Sequence, residues 1–184
     1  MPLWKALGAL YIAVDNGASA NRVAAYAGGM SRLIRVSTVF IATFGAGLIG
    51  FLFVPADMSL WYGGLTKPPL TPSDMLFGIV WVVLYALMAL AACIVWLKKQ
   101  NAETEAWLRF YFVQLLFNTA WMIFFFGFHA VPLAFTDGLV LMYIVFGLAV
   151  SGWEINPLVF YLMFPYFLWT AFALYLTVGI WVLN

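Results

Sequence analysis

The chain has 184 residues, of which 66% are hydrophobic, 20% are aromatic and only 8% are charged, and its mean hydropathy is +1.03. Soluble domains average about half apolar and about a quarter charged residues, so this composition excludes a soluble globular domain and indicates a protein of the lipid bilayer. A net charge of +1 provides no basic surface for nucleic acid, and the single cysteine, Cys93, excludes a disulfide framework and a thiolate zinc cluster.

The first 30 residues resemble a secretory signal peptide, because a lysine and an apolar stretch precede an Ala-Ser-Ala sequence. Cleavage there would leave three arginines on the outer side of the membrane, against the usual distribution of basic residues. We therefore expect an N-terminal extension at residues 1–30 that is poorly ordered or lies at the membrane interface, followed by one domain at residues 31–184.

Five long apolar segments follow, each close to the length of about 20 residues that a membrane-spanning helix needs. We predict these helices at about 36–55, 75–97, 108–128, 132–152 and 157–182. The fourth carries Asp137 inside the membrane. Proline, glycine and charged residues cluster in the breaks between the segments. The sequence therefore predicts an all-α membrane protein, a single bundle of five transmembrane helices.

Basic residues indicate the orientation, because cytoplasmic loops carry most of the Lys and Arg of a membrane protein. With the N-terminus inside, seven of the eight basic residues face the cytoplasm and only Lys67 faces outward. We therefore expect an integral membrane protein of the bacterial cell envelope with its N-terminus inside and its C-terminus outside. The loop between the first two helices then lies on the outer side.

The sequence contains no grouping of residues that is typical of a conventional catalytic site or a metal site. His129 is the only histidine and falls in a short outer loop, so a haem-ligating histidine pair and a facial metal triad are excluded. Cys93 is not placed beside a base. The sequence predicts no metal site, no covalently bound cofactor and no conventional catalytic residues.

The nine tryptophans fall into two groups according to their depth. Six lie near the ends of predicted helices, where indole rings prefer the headgroup region, or in the N-terminal extension. These six are Trp4, Trp61, Trp96, Trp107, Trp153 and Trp181. The other three, Trp81, Trp121 and Trp169, lie deeper, so they either pack between helices or line a shared aromatic cavity.

The neighbours of these three tryptophans favour a cavity. One stripe of the third helix carries Gln114, Asn118, Trp121 and Phe125. Comparable stripes on the second and fifth helices carry Phe77, Trp81, Tyr85 and Met88, and Tyr166, Trp169, Ala173 and Leu176. Amides avoid lipid, so they either hydrogen-bond across helices or contact a ligand, and the same alternatives hold for Asp137. The stripes together predict a cavity for a large planar apolar molecule.

Five motifs occur in order along the chain. They are Trp61-Tyr62-x-x-Leu65-x-Lys67-Pro68, Phe77-Gly78-Ile79-Val80-Trp81, Gln114-x-x-x-Asn118-x-x-Trp121, Asp137, and Pro165-Tyr166-Phe167-Leu168-Trp169. From about Phe40 to Asn184 the chain thereby resembles the TspO/MBR family of tryptophan-rich sensory and translocator proteins, also called peripheral benzodiazepine receptors. The resemblance implies a five-helix protein, commonly a homodimer, that binds porphyrins such as protoporphyrin IX, sterols and benzodiazepine-site ligands beneath a lid loop.

The resemblance also implies site residues. The expected ligand-binding residues are Trp81, Tyr85, Asn118, Trp121, Phe125, Tyr166, Trp169, Ala173 and Leu176. The expected lid residues are Trp61, Tyr62, Lys67, Pro68 and Pro72. Lys67 pairs with a nearby carboxylate, pairs with a porphyrin propionate, or is a plain interfacial lysine. If the protein is an enzyme that degrades porphyrin in light, Trp81 and Trp169 are its catalytic residues.

The sequence departs from the family pattern in several places. A lid tryptophan is replaced by Leu70, the usual Leu-Asn of the fifth helix reads Leu176-Thr177, and the sterol-recognition pattern proposed for animal members is absent. We therefore expect a receptor or translocator-type protein for a tetrapyrrole. The alternatives are a light-dependent porphyrin-degrading enzyme and a sterol or lipid transporter. Small residues of the first helix, Ala42, Ala46 and Gly50, form either an intrasubunit contact or the dimer seam.

Overall fold

A computed structural model describes residues 29–55 and 58–184 of the chain. The described residues form six helices, which are α1 (Gly29–Leu52), α2 (Met58–Gly64), α3 (Asp74–Leu97), α4 (Ala102–Met122, continued by a π-helical segment Ile123–Gly127), α5 (Val131–Ile155) and α6 (Pro157–Leu183). All of them except the short α2 are long and apolar enough to cross a membrane. The predicted fold class is therefore confirmed. Of the predicted N-terminal extension, residues 1–28 lie outside the described residues.

Polar residues at the helix ends explain where the helices begin. The Ser73 hydroxyl accepts a hydrogen bond from the backbone of Leu76 at the start of α3. Asn101 and Thr104 exchange side-chain and backbone hydrogen bonds of 2.9 Å at the start of α4. Because of this capping box, α4 begins at Ala102, earlier than the predicted boundary at 108. Asn156 caps α6, whose first residue is Pro157.

Small residues allow the helices to approach closely. A Cβ added to Gly152 of α5 would lie 2.6 Å from Val159 of α6, and one added to Gly138 would lie 2.8 Å from Leu174. On α1, the Ala46 carbonyl accepts a hydrogen bond of 3.0 Å from Thr119 of α4. The expected small-residue stripe of α1 therefore makes an intrasubunit contact at this position.

Trp107, which lies near the start of α4, is buried between helices. Its ring is only 3% exposed, stacks on Tyr111 with 5.5 Å between centroids, and donates a hydrogen bond of 2.9 Å to the Leu148 carbonyl of α5. Gly152 of α5 lies beside the indole, since a Cβ there would be in ordinary contact with its nitrogen at 3.5 Å. This indole therefore joins α4 to α5.

Candidate ligand-binding cavity

A cavity of about 450 Å³ lies between α1, α3, α4 and α6, beneath α2. This volume falls within the range of about 300–1,000 Å³ that is typical of small-molecule pockets. The lining is almost entirely apolar and aromatic. It includes Trp81, Tyr85, Asn118, Trp121, Phe125, Ala173 and Leu176 from the predicted ligand-binding residues, and Tyr62 and Pro72 from the predicted lid.

Two of the three deep tryptophans meet in this cavity. Trp81 comes from α3 and Trp121 from α4. Trp121 stacks on Phe125, one turn further along α4, with 5.2 Å between centroids and 12° between planes. Trp81 lies 5.8 Å from the Tyr85 ring, centroid to centroid. The cavity thus has flat aromatic rings on two of its walls.

Trp169 does not line the cavity, contrary to our expectation. Its ring packs against Phe77 of α3 at 5.6 Å, and Phe77 itself lines the cavity. Its buried indole nitrogen has no hydrogen-bond partner among the described residues. On α6 the cavity is bordered by residues further along the helix, including Ala173 about one turn and Thr177 about two turns after Trp169. Trp169 therefore reaches the cavity only through Phe77.

Tyr166 also lies outside the cavity, because it belongs to a hydrogen-bonded network beneath the cavity floor. Tyr85 donates from its hydroxyl to the Asn118 carbonyl oxygen, and the Asn118 amide donates to the Tyr166 hydroxyl at 3.1 Å. Tyr166 donates to Gln114 at 2.9 Å. Gln114 and Asn118 therefore both form hydrogen bonds across helices, which is one of the two roles predicted for these amides. Asn118 also borders the cavity.

Asp137 is buried on α5 and does not belong to the cavity lining. One of its carboxylate oxygens, Oδ2, is buried and has no hydrogen-bond partner within the part of the chain that the structure describes. The neighbouring residue, Gly138, faces the indole of Trp121, since a Cβ there would lie 3.3 Å from the ring. Asp137 is therefore next in sequence to a residue that contacts the cavity-lining Trp121, but it does not line the cavity itself.

The helix α2 covers the cavity, and aromatic contacts hold it on the side of α4. Trp61 stacks on His129 with 3.9 Å between centroids and 9° between planes, and also contacts Phe125 at 5.7 Å. His129 adopts a left-handed backbone conformation with φ of 54° in the turn before α5. His129 is therefore more than a plain loop residue, because it contacts the lid.

Tyr62 forms the part of the cover that faces the cavity. The Lys67 ammonium lies 4.0 Å from the centroid of its ring. Burial, and to a smaller extent the Asp74 carboxylate, raises the pKa of the Tyr62 phenol above its ordinary value. Lys67 itself does not line the cavity but lies on the ring that does.

The loop after α2 is attached to the end of α6. The Asn184 side chain accepts a hydrogen bond of 2.9 Å from the Thr66 amide and donates one of 3.0 Å to its carbonyl. Tyr175 donates from its hydroxyl to the Pro69 carbonyl at 2.9 Å. Pro68 packs directly on Gly179, where an added Cβ would lie only 2.6 Å from the proline ring. Trp61, Lys67 and Pro68 therefore hold the lid without lining the cavity.

The wall formed by α1 was missed in the sequence analysis. It includes Phe44, Gly47, Leu48 and Phe51. Gly47 allows the Tyr85 ring to approach, since a Cβ at this position would lie 2.7 Å from it. The first helix has no tryptophan and no amide to mark its inner face, so only the spacing of its glycines pointed to a close contact.

Comparison with known proteins identifies the family. The model of the TspO/MBR family matches residues 38–182. The tryptophan-rich protein TspO of Bacillus cereus is 32% identical over 79% of this chain and 94% of its own length. Protein CrtK of Rhodobacter capsulatus is 34% identical over 79% of this chain and 89% of its own, and the translocator protein of Homo sapiens is 33% identical over 72% and 80%. The match includes the lid loop and every helix that borders the cavity. The chain therefore belongs to the TspO/MBR family.

Proposed function

We propose that the protein binds protoporphyrin IX, or a similar planar apolar molecule, in the cavity beneath α2, and that it acts as a membrane receptor or translocator-type protein. The observation that supports this most directly is that Trp81, Trp121 and Phe125 border one apolar space. A flat apolar ring gains both hydrophobic and stacking energy against such walls. A sensory or regulatory role requires only this binding step, whereas transport also requires a path through which the ligand crosses the membrane.

The polar groups of the site support an apolar ligand with its charge at one end. The Thr177 hydroxyl donates within α6 to the Ala173 carbonyl at 2.8 Å, and Asn118 is engaged in the floor network. Among the described residues, Asp74 lines the cavity and Lys67 lies over the Tyr62 ring. A porphyrin would place its apolar ring between the tryptophans, and a propionate at the mouth would pair with Lys67.

The relatives and the charge pattern support the cellular setting of this proposal. The human relative is named translocator protein, and the Bacillus cereus relative is named tryptophan-rich protein TspO. The excess of Lys and Arg in loops on one side supports an N-terminus inside and the lid outside, in a bacterial cell envelope. We further propose that the protein is a homodimer in this membrane.

Titration of the purified protein in lipid nanodiscs with protoporphyrin IX tests the proposal. Trp81 and Trp121 border the cavity, so we expect saturable quenching of tryptophan fluorescence. A Trp153→Phe variant is the matched control, because Trp153 is 45% exposed and contacts Phe160 and Tyr161 on another part of the bundle. It should leave the Kd unchanged. Quenching that rises linearly without saturation would refute a specific site.

A Trp169→Phe variant should leave the Kd for protoporphyrin IX within about twofold, because Trp169 contacts the cavity only through Phe77 and a phenyl ring preserves that contact. The same titration measures this. The same variant also tests the alternative of light-dependent porphyrin breakdown. For this test the bound porphyrin is illuminated and the loss of its absorption is measured over time. A large loss of affinity in Trp169→Phe would show that the indole reaches the ligand after all.

A further inference from the structure

The lid is attached at two separate places, which raises the question of how a ligand enters. On one side Trp61 stacks on His129 in the turn before α5. On the other side, the paired hydrogen bonds between Thr66 and Asn184 tie the loop to the end of α6. Opening the lid upward would break both attachments together. We therefore expect the lid to stay closed over the cavity.

The wall between α1 and α3 has a different construction. Leu48 and Phe51 of α1 and Val82 of α3 line the cavity, yet their total exposed fractions are 60%, 64% and 60%, which is high for residues of a cavity wall. A side chain that borders the cavity and is also exposed to the outside forms a wall that is only one side chain thick. Since α1 and α3 are membrane-spanning helices, the outside at this wall is lipid.

Gly78 leaves this wall open. It lines the cavity one turn before Val82 on α3, and a Cβ built on it would meet no atom within 4 Å. It lies four residues after Asp74, the first residue of α3, which is about 6 Å along the helix axis. The opening is therefore near the end of the span that carries the lid, just below the depth at which lipid headgroups lie.

We propose that ligands enter and leave the cavity sideways from the bilayer, through the gap between α1 and α3 at Gly78, while the lid remains closed. This inference rests on the proposed ligand-binding function. It specifies the ligand class as planar molecules that dissolve in the hydrocarbon of the membrane. A porphyrin whose carboxylates lie among the headgroups places its ring at the depth of this gap.

Binding kinetics of a Gly78→Phe variant in nanodiscs test the route. The probe is protoporphyrin IX delivered from lipid vesicles, and the readout is stopped-flow tryptophan quenching. A phenyl group that closes the gap should slow both association and dissociation by about tenfold or more, a larger change than that in the Kd. Gly78→Leu, which is smaller, should give an intermediate effect. A Kd that weakens without slower dissociation would overturn the inference, since the side chain would then merely occupy the cavity.

A matched control uses the same change at another open glycine. Gly147 of α5 is exposed, does not line the cavity, and has no atom within 4 Å of an added Cβ. Gly147→Phe should therefore leave both rates unchanged. Gly179→Val tests the opposite route, because its side chain displaces Pro68 and loosens the lid. If Gly179→Val exchanges the ligand at wild-type rates, the result supports lateral entry. If association is faster in Gly179→Val and the rates of Gly78→Phe are unaltered, lateral entry is overturned.

A second probe separates failure of the route from failure of the proposed porphyrin ligand. Pyrene is planar, uncharged and soluble in the bilayer, and it accepts excitation energy from tryptophan. If protoporphyrin IX does not bind but pyrene does, and Gly78→Phe slows pyrene exchange, the lateral route holds and the porphyrin proposal fails. If both probes bind to Gly78→Phe at wild-type rates, the lateral route fails whatever the ligand is.

Discussion

Replacing Trp121 with alanine should weaken protoporphyrin IX binding by about 2–3 kcal/mol, which is roughly a 30- to 150-fold rise in Kd. Trp121 is 7% exposed, borders the cavity and stacks on Phe125, so its removal deletes a wall and leaves its stacking partner unsupported. The titration in nanodiscs described above measures this change directly.

A tryptophan-to-alanine change in a packed interior also costs about 3–5 kcal/mol of folding stability, so the fold of the variant must be checked by circular dichroism. Trp121→Phe is the second variant, because it keeps an aromatic ring against Phe125 while it shortens the wall. We expect its affinity to lie between that of the wild type and that of Trp121→Ala. If both variants bind with the wild-type Kd, Trp121 does not contact the ligand.

Replacing Asn118 with leucine should lower the free energy of unfolding by about 2–3 kcal/mol, because it removes a donor and an acceptor from a buried network. The Tyr85 hydroxyl would lose its acceptor and the Tyr166 hydroxyl would lose its donor. Leucine has the same number and branching of non-hydrogen side-chain atoms as asparagine, so the variant removes the hydrogen bonds while it keeps the shape of the side chain. Unfolding of the purified protein in mixed micelles with increasing sodium dodecyl sulfate measures it.

The control for this prediction is Thr136→Val on α5, whose hydroxyl donates a hydrogen bond of 3.0 Å to the Pro132 carbonyl and is exposed. Its loss should change the unfolding free energy by less than about 0.5 kcal/mol. Average hydrogen bonds in membrane proteins are worth less than about 1 kcal/mol, so a loss of that size in Asn118→Leu would show that the members of the network contribute independently.

The structure changes the meaning of the lid that the family resemblance implied. The resemblance suggests a cover over the cavity, and the helix α2 does cover it. The attachments at His129 and Asn184 hold this cover in place, whereas the gap at Gly78 leaves the side of the cavity open. In the lateral route proposed above, the lid keeps water away from the bound ligand while exchange occurs with the membrane.

Several features followed from the sequence alone because the bilayer restricts them strongly. A spanning helix needs about 20 apolar residues, and amides within it must turn away from lipid. Hydropathy therefore predicts the five helices, and Asn118 identifies the inner face of α4 that also carries Trp121. The same rule placed Gln114 inside the bundle, although it could not choose between a ligand and a partner helix as its contact.

Other features depended on neighbours that lie far away in the sequence. Trp169 has the same periodicity as Ala173, yet it packs on Phe77 while Ala173 borders the cavity. The wall of α1 has no distinctive residue type, so Leu48 and Phe51 could not be recognised as cavity residues. The stacking of Trp61 on His129 joins two loops that are separated by two membrane-spanning helices.

The sequence by itself determined the membrane class, the five helices, the position of the lid loop and the inward faces of Trp81 and Trp121. Only the tertiary structure decided which inward side chains reach the cavity, which close the floor network, and where the wall is open. The reason is that periodicity sets the direction of a side chain around its own helix. The depth and rotation at which two helices meet depend on close contacts such as Gly47 with Tyr85 and Gly138 with Leu174.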